Sequence, residues 1–314
     1  MTSTVSAKPA TFTRVAEVWI PEGDRLVGGG GAYGDAEGLR AASAGMSFGR
    51  GEGLPGRAWA EGRPIILKGF DGSYFMRTEA AGAAGLTCAV AVPVFAGRRL
   101  KAVLVILCGE DAEHRGAIEV WEEAGRDVRL ADGYYGTAAS FEAASRDMAM
   151  AKGKGLPGGV FSANRPILMR DLSRAGAFLR AEAAGEIGLR TGLGLPVPVP
   201  GAKPYVLTLL SAADTPIARR FEIWDARPEA VGASRGALRI DGICEIEGAL
   251  WPQQNPPVDA VTVGAWQGPV GQVLGSGLPV VHEGAAGLPK GYALMVALPV
   301  YHDTELAHVV AWYL

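Results

Sequence analysis

The chain has 314 residues, of which 48% are hydrophobic and 20% charged, and its formal net charge is −3. This composition predicts a globular protein with a sizeable core. The nearly neutral charge, without a long basic block, argues against a nucleic-acid partner. No apolar run approaches the roughly 20 residues of a membrane-spanning helix, so no membrane partner is expected.

The chain begins with residues 1–12, which carry one lysine and no apolar segment. They are predicted to form a short disordered tail rather than a secretory signal. After them, strand formers flanked by turn residues predict two strands within Glu17–Val27, joined by a turn at Pro21–Asp24. Asp35–Ala44 is predicted to be a weak helix.

Helix-breaking and helix-capping residues predict the next elements of the chain. Pro55–Glu61 is predicted to be a short helix, because proline suits its first turn, Gly62 suits a left-handed end and Pro64 prevents continuation. The remaining predicted elements are a strand at Pro64–Lys68, an Ala-rich helix at Ser73–Ala84 capped by Ser73, and strands at Leu86–Phe95 and Leu100–Cys108. The last run is apolar on both faces, which predicts a central strand of an antiparallel sheet.

The sequence then repeats itself. Glu-Val-Trp at 17–19 returns at 119–121 and, as Glu-Ile-Trp, at 222–224, and Gly-Leu-Pro-Gly at 53–56 returns at 155–158. Self-similarity at a fixed period indicates tandem modules. We therefore predict the tail at 1–12, followed by module 1 (13–113), module 2 (114–215) and module 3 (216–314).

Module 3 is the divergent copy. Pro64 and Pro93 are 29 positions apart in module 1, whereas the corresponding Pro279 and Pro299 are 20 apart. The missing stretch is the one that supplies Phe-x-Arg-x-Glu-Ala-Ala in modules 1 and 2. Module 3 is therefore predicted to lack that helix.

Three segments of module 1 resemble the GAF domain family. They are Gly-Leu-Pro-Gly-Arg-Ala-Trp-Ala-Glu-Gly-Arg-Pro (53–64), Phe-x-Arg-x-Glu-Ala-Ala-x-x-Ala-Gly-Leu (75–86) and Ala-Val-Pro-Val (91–94). The resemblance covers modules 1 and 2 well and module 3 in part. It implies an α+β fold of three tandem GAF-like (profilin-like) modules, each with a five- or six-stranded antiparallel sheet, short helices and a pocket between them. It also implies a regulatory role in binding small molecules or partners.

The links between modules are too short for the long signalling helices that commonly frame GAF domains. Only nine residues separate Cys108 from Ile118, and ten separate Leu210 from Phe221. Sheet faces without such helices would expose a large apolar area. We therefore expect the three sheets to pack against one another or against another subunit, which leaves a homo-oligomer possible.

The candidate ligand contacts lie where the resemblance implies a pocket. Arg77 follows Phe75, and an arginine beside aromatic rings suits a carboxylate, a phosphate or a planar ligand. The alternative is an exposed arginine paired with a nearby acid such as Glu79, or Glu182 in module 2. The full candidate set is Tyr33, Trp59, Phe75 and Arg77 in module 1, and Tyr135, Phe161, Phe178 and Arg180 in module 2. For Trp59 and Phe161 the alternative is core packing.

No catalytic or metal-binding motif is evident in the sequence. The four histidines, His114, His282, His302 and His308, lack metal-ligand spacing, and no cofactor is implied. The enzyme alternative is a thiol reductase like the GAF-fold free methionine sulfoxide reductases, which needs an exposed, low-pKa cysteine. The three cysteines, Cys88, Cys108 and Cys244, have no Cys-x-x-Cys spacing, and we expect them to be reduced thiols in a cytoplasmic protein.

These observations predict a non-catalytic, cytoplasmic sensory or regulatory protein. Modules 1 and 2 would bind an unidentified small molecule, and the output would pass through a separate protein. The alternative is a ligand-free interaction scaffold whose pockets are collapsed and packed.

Overall fold

Three antiparallel sheets follow one another along the chain in a computed structural model, and they share one topology. The structure describes residues 11–109, 115–201, 204–212, 217–228, 235–245, 247–250 and 259–314. Residues 1–10 of the predicted tail (1–12) lie outside the described residues. The prediction was wrong at its end, because Phe12 is completely buried.

Module 1 contains six strands and three helices. They are β1 (Thr13–Glu22), β2 (Arg25–Ala32), α1 (Glu37–Ser43), β3 (Ser47–Gly49), α2 (Gly53–Glu61), β4 (Ile65–Lys68), α3 (Thr78–Ala83), β5 (Leu86–Ala96) and β6 (Arg99–Gly109). The sheet order is β3-β2-β1-β6-β5-β4, so the apolar closing strand β6 lies in the middle, as predicted.

Module 2 repeats this arrangement. Its elements are β7 (Arg115–Ala124), β8 (Asp127–Gly136), α4 (Ala139–Arg146), β9 (Ala149–Ala151), α5 (Gly155–Ala163), β10 (Ile167–Met169), α6 (Ala181–Glu186), β11 (Leu189–Val197) and β12 (Tyr205–Ala212). The order is β9-β8-β7-β12-β11-β10, so the closing strand β12 again lies in the middle, between β7 and β11.

Module 3 keeps the sheet and loses a helix. Its elements within the described residues are β13 (Arg220–Asp225), β14 (Gly236–Cys244), β15 (Gly248–Ala249), β16 (Thr262–Gly264), α7 (Gly268–Ser276), β17 (Val280–Glu283), β18 (Leu294–His302) and β19 (Glu305–Tyr313). The order is β15-β14-β13-β19-β18-β17, with β16 also on β14. Residues 284–293, all of them described, form turns and no helix, which confirms the predicted loss.

The last glycine of the Gly-Leu-Pro-Gly motif is required for steric reasons. A Cβ on Gly56 would lie 2.1 Å from the carbonyl oxygen of Gly49, and the corresponding distances at Gly158 and Gly271 are 2.5 and 2.4 Å. Real Cβ atoms essentially never approach so closely. Glycine therefore lets the first turn of α2, and of its equivalents α5 and α7, lie directly against the preceding strand.

The helix predicted at Ser73–Ala84 is shorter than expected. It begins at Thr78, after Arg77 as N-cap. The Ser73 hydroxyl donates a hydrogen bond to the Phe70 carbonyl (2.7 Å) and accepts one from the Phe75 N–H (3.1 Å). Ser73 therefore closes a turn ahead of the helix instead of capping it.

One central core joins the three sheets through the faces that carry no helices. It contains buried side chains from β5 and β6, β11 and β12, and β18 and β19. The equivalent prolines Pro93, Pro196 and Pro299 lie around a narrow gap where β5, β11 and β18 meet. The expected packing of sheet against sheet is confirmed. None of the helices in the described residues is long and apolar enough to traverse a bilayer.

An ion pair crosses each junction between modules. Lys68 pairs with Asp132 at the module 1–2 junction (2.9 Å), and Arg170 pairs with Asp241 at the module 2–3 junction. At the third junction Arg40 pairs with Glu283 (2.9 Å), which connects module 3 back to module 1. The modules therefore form a closed ring around the central core rather than an extended array.

Candidate functional site

The repeated Glu-x-Trp motif forms the same hydrogen bond in every module. The two residues lie on one face of the module's first strand, because side chains alternate along a strand. The indole Nε1–H donates to the glutamate carboxylate in Trp19–Glu17 (3.2 Å), Trp121–Glu119 (3.0 Å) and Trp224–Glu222 (3.0 Å). Each carboxylate is buried on the helix-covered face of its sheet. We call this carboxylate and its polar partners the interior charge cluster of the module.

In module 2 the cluster is completed by Arg180, just before α6. Its guanidinium donates two hydrogen bonds to Glu119, one of them 2.9 Å long, and a third to the hydroxyl of Ser145. The hydroxyls of Thr208 and Tyr135 donate to the same carboxylate at 2.9 and 3.1 Å. Burial alone would raise the pKa of Glu119, but the charge and hydrogen bonds of Arg180 and the neighbouring donors lower it below its ordinary value.

Module 1 builds the cluster from equivalent residues. Arg77 donates to Glu17 and to the Ser43 hydroxyl, which itself donates to Glu17 (2.9 Å). Tyr33 lies beside this pair, and burial together with the Glu17 charge raises the pKa of Tyr33 to about 12. The ring of Phe75 lies 5.2 Å from the Arg77 guanidinium.

Module 3 keeps the carboxylate and replaces the arginine. Glu222 accepts hydrogen bonds from Arg220 (2.8 Å), Arg239 (3.3 Å) and the Tyr313 hydroxyl (2.8 Å). Arg220 comes from β13, at the position of Val15 in β1. Because the segment that carries Arg77 in module 1 is missing here, the buried carboxylate takes its compensating cations from the sheet itself.

The structure brings most of the predicted ligand contacts together, but around a protein carboxylate. Phe178 flanks Arg180 as Phe75 flanks Arg77, with 5.3 Å between ring centroid and guanidinium. Trp59 and Phe161 lie farther out, partly buried on α2 and α5 at the margin of the helix-side cores. The eight predicted ligand contacts, all of them in the described residues, are Tyr33, Trp59, Phe75, Arg77, Tyr135, Phe161, Phe178 and Arg180.

The alternative of an exposed arginine paired with Glu79 or Glu182 was wrong. The side chains of Arg77 and Arg180 are 2% and 1% exposed, and their partners are Glu17 and Glu119. Sequence reasoning missed both glutamates as site residues. The signal was available, since a glutamate recurs inside an otherwise apolar strand in all three copies.

An open groove lies over the interior charge cluster of module 1. It has a volume of about 560 Å³ and runs between α1 and α3, where Met46, Met76, Arg77 and Thr78 are among the residues that line it. Met76 is half exposed at its mouth. Through this groove, solvent space reaches one of the predicted contacts, Arg77.

The cysteines do not have the environment of reactive thiols. Cys88 and Cys108 are directly opposite each other on β5 and β6, buried in the central core, and Cys244 is buried in module 3. Burial raises the pKa of the Cys108 thiol far above its ordinary value. In the described residues no group of three or more His, Cys, Asp or Glu side chains is placed to hold a metal ion.

A family comparison identifies the first part of the chain. Residues 10–131 match the family described as GAF domain. This stretch is thus similar to the GAF domain family. GAF domains are sensory and regulatory modules that bind small molecules and mediate protein interactions. No curated protein matches the chain.

Solved structures with similarity to the chain include further GAF domain proteins. The GAF domain of A. aeolicus nlh2 in an inactive state is 21% identical, with a TM-score of 0.27, over 32% of this chain and 59% of that one. A GAF domain/HD domain protein from Geobacter sulfurreducens is 20% identical, with a TM-score of 0.28, over 32% and 66%. NreA from Staphylococcus aureus, mutated in its nitrate-binding site, is 15% identical, with a TM-score of 0.26, over 33% and 80%. The chain thus spans less than two thirds of the first two proteins.

Proposed function

We propose that the protein is a non-catalytic, cytoplasmic regulatory protein that acts through a separate protein partner, and that the interiors of its modules serve stability rather than ligand recognition. One observation carries this proposal. In modules 1 and 2 the arginine that suits a ligand carboxylate is already bound to a carboxylate of its own chain, Glu17 or Glu119. A ligand carboxylate would have to displace a buried ion pair, and breaking such a pair is strongly unfavourable.

Exposed apolar side chains support a partner-binding role. The three large ones in the described chain are Met76, Leu179 and Trp266, which are 51%, 49% and 67% exposed. Each lies at the N-terminal end of the equivalent helix of its module. Met76 lies beside Gly53, the first residue of α2, and Leu179 lies beside Gly155, the first residue of α5. Trp266 directly precedes Gln267, the N-cap of α7. Methionine and tryptophan are enriched at protein interfaces.

Partner capture tests the proposal. The wild-type protein and the variant Met76→Ser/Leu179→Ser/Trp266→Ser are used as baits in cell extract, and each captured protein is then purified and its affinity measured. We expect the triple variant to bind the partner at least about 10-fold more weakly. The matched control, Glu79→Ser/Glu182→Ser/Lys290→Ser, changes three exposed polar residues and should bind as the wild type does. No specific partner for the wild type would contradict the proposal.

A second candidate function is ligand binding in module 1, favoured by the groove beside Arg77. Amide hydrogen exchange separates the two. Compounds that raise the melting temperature are identified first, since binding to the native state alone stabilises it. A compound that slows exchange in α1 and α3 binds in the groove and overturns the structural role of the interior. A compound that protects only amides elsewhere leaves that role intact.

A further inference from the structure

A cleft opens at the junction between modules 2 and 3. Its volume is about 600 Å³, and it lies between the outer ends of β10 and β11 on one side and β13 and β14 on the other. Four arginines line it, together with two carboxylates and a short apolar wall. The arginines are Arg170, Arg174, Arg190 and Arg219, the carboxylates are Asp171 and Glu245, and the wall includes Ala212, Ala218, Phe221 and Ile243.

The equivalent place at the module 1–2 junction is filled. Tyr134 occupies the position of Ile243, and its hydroxyl donates a hydrogen bond to the Gly109 carbonyl (3.2 Å) and lies 3.3 Å from the Thr87 hydroxyl. The ring of Phe12 packs on Tyr134, with 5.5 Å between centroids. Replacement of a tyrosine by the smaller isoleucine therefore leaves space at the second junction.

The same comparison shows that the charged side chains differ between the two junctions. Arg190 takes the position of Thr87, and Arg219 takes the position of Gly116. These two substitutions add two guanidinium groups to the cleft, while the ion pair across the junction is kept as Arg170–Asp241 in place of Lys68–Asp132. Glu245, at the position of Gly136, is gained beside Arg219, and Ala218 replaces Arg115. The difference from the first junction is thus in volume and in the presence of Arg190.

The cleft carboxylates do not neutralise all of this charge. Glu245 is 3.6 Å from Arg219, and Asp171 is 3.9 Å from Arg174. No carboxylate of the described residues lies within 4.0 Å of the Arg190 guanidinium, which is exposed at the cleft. A concave site with an uncompensated cation attracts anions from solution.

Another cleft, at the junction of modules 3 and 1, provides a contrast. Its volume is about 570 Å³, and the charged residues that line it are Arg14, Arg219, Asp35 and Glu283. Two cations meet two carboxylates there, and Arg14 is held by Asp35 at 3.0 Å. Size alone therefore does not distinguish the module 2–3 cleft; its excess of arginine does.

We propose that the module 2–3 cleft binds a small organic anion, with its carboxylate or phosphate group on Arg190 and Arg219 and its apolar body against Ile243 and Phe221. Arginine suits both groups because its fork of N–H donors matches two oxyanion oxygens. The inference goes beyond the proposed function, which assigns no ligand, and it places a sensory input between modules rather than inside one.

Calorimetric titration of the full chain tests the site with four probes. Benzoate and phenyl phosphate carry an apolar body and an oxyanion, inorganic phosphate lacks the body, and benzamide lacks the charge. We expect one of the first two to bind with a Kd of roughly 1 mM or lower, and inorganic phosphate and benzamide to bind more weakly. The stronger of benzoate and phenyl phosphate identifies the group that the cleft prefers.

Variants taken from the other junction locate the binding. Arg190→Thr introduces the residue found at Thr87 and should weaken binding at least about 10-fold, and Ile243→Tyr should block it by filling the cleft as Tyr134 does. Lys68→Ala, at the filled junction, is the matched control and should leave binding unchanged. Because Arg190 is exposed, its variant is expected to fold even where Ile243→Tyr does not.

Two results would overturn the proposal. One is that neither benzoate nor phenyl phosphate binds the wild-type protein. The other is that binding persists unchanged in Arg190→Thr, since the anion would then be held elsewhere. Neither result affects the partner-capture experiment, so the two proposals fail separately.

Discussion

Arg180 and Glu119 are 61 positions apart in the sequence, yet inside module 2 the guanidinium of one donates two hydrogen bonds to the carboxylate of the other. Neither side chain is more than 1% exposed. Removal of one partner would leave an uncompensated charge in the core, and such losses typically cost about 3–5 kcal/mol. We therefore expect Arg180→Met to lower the free energy of unfolding by about that amount in urea titrations. Arg174→Met, at an exposed arginine, is the control and should change it by less than about 0.5 kcal/mol.

The double variant Glu119→Gln/Arg180→Met isolates the role of charge. Its interior contains neither a buried anion nor a buried cation, so it lacks the penalty that Arg180→Met alone incurs. We expect the double variant to be more stable than Arg180→Met, as measured by the same urea titration. Equal or lower stability of the double variant would show that lost packing, not unpaired charge, accounts for the effect.

Phe12 connects the start of the chain to the central core. Its side chain is fully buried against Tyr134 of module 2 and beside Gly116. Truncation of a buried phenylalanine typically costs about 3–5 kcal/mol through lost transfer free energy and the cavity left behind. We expect Phe12→Ala to lower the free energy of unfolding by this amount, whereas Met76→Ala, at a half-exposed side chain, should cost less than about 1 kcal/mol. A small effect of Phe12→Ala would mean that the junction of modules 1 and 2 does not depend on this segment.

Patterns within one module made much of its fold predictable. Alternating strand formers, turn glycines and the proline-to-glycine span of α2 gave the elements, and the doubly apolar run Leu100–Cys108 gave the centre of the sheet. Phe12 was misassigned because a single aromatic residue next to a polar segment carries no periodicity. Ser73 was misassigned because its hydroxyl serves a turn as readily as a helix cap.

The candidate site was less predictable, because the residues that form it are far apart in the sequence. The pairing of Arg77 with Glu17 joins residues 60 positions apart, and local pattern offers nearer acids such as Glu79. The module 2–3 cleft depends on the contrast between Tyr134 and Ile243. The repeat reveals that contrast in sequence, but only the ring of three sheets shows that these positions face a neighbouring module.

The cysteines give a test of the thiol-enzyme alternative. All three are buried, and burial raises the pKa of the Cys108 thiol, which disfavours the reactive thiolate. We expect an aromatic disulfide reagent to modify no thiol of the native protein within minutes and all three after denaturation. One thiol that reacts rapidly in the native state would favour a reductase and contradict the non-catalytic proposal.

His308 predicts how stability depends on pH. His308 is 1% exposed, and burial lowers its pKa to about 4. The charge of Asp225, on the paired strand, opposes this shift. Arg227, His302 and Arg165 lower the pKa of His308 further. The unfolded chain has a histidine pKa of about 6.5 and so binds a proton that the folded protein resists.

The contribution of uncharged His308 to the free energy of unfolding is therefore fully present above about pH 6.5. As the pH falls toward 4 this contribution is lost, which lowers the free energy of unfolding by up to about 3 kcal/mol. The variant His308→Ala introduces the residue that module 1 has at the equivalent position, Ala102, and removes the titrating group. We expect the free energy of unfolding, measured by urea titration from pH 7.5 to about 4.5, to fall less steeply with decreasing pH in the variant than in the wild-type protein. Parallel curves would mean that His308 titrates alike in the folded and unfolded chains, and that the acid sensitivity arises elsewhere.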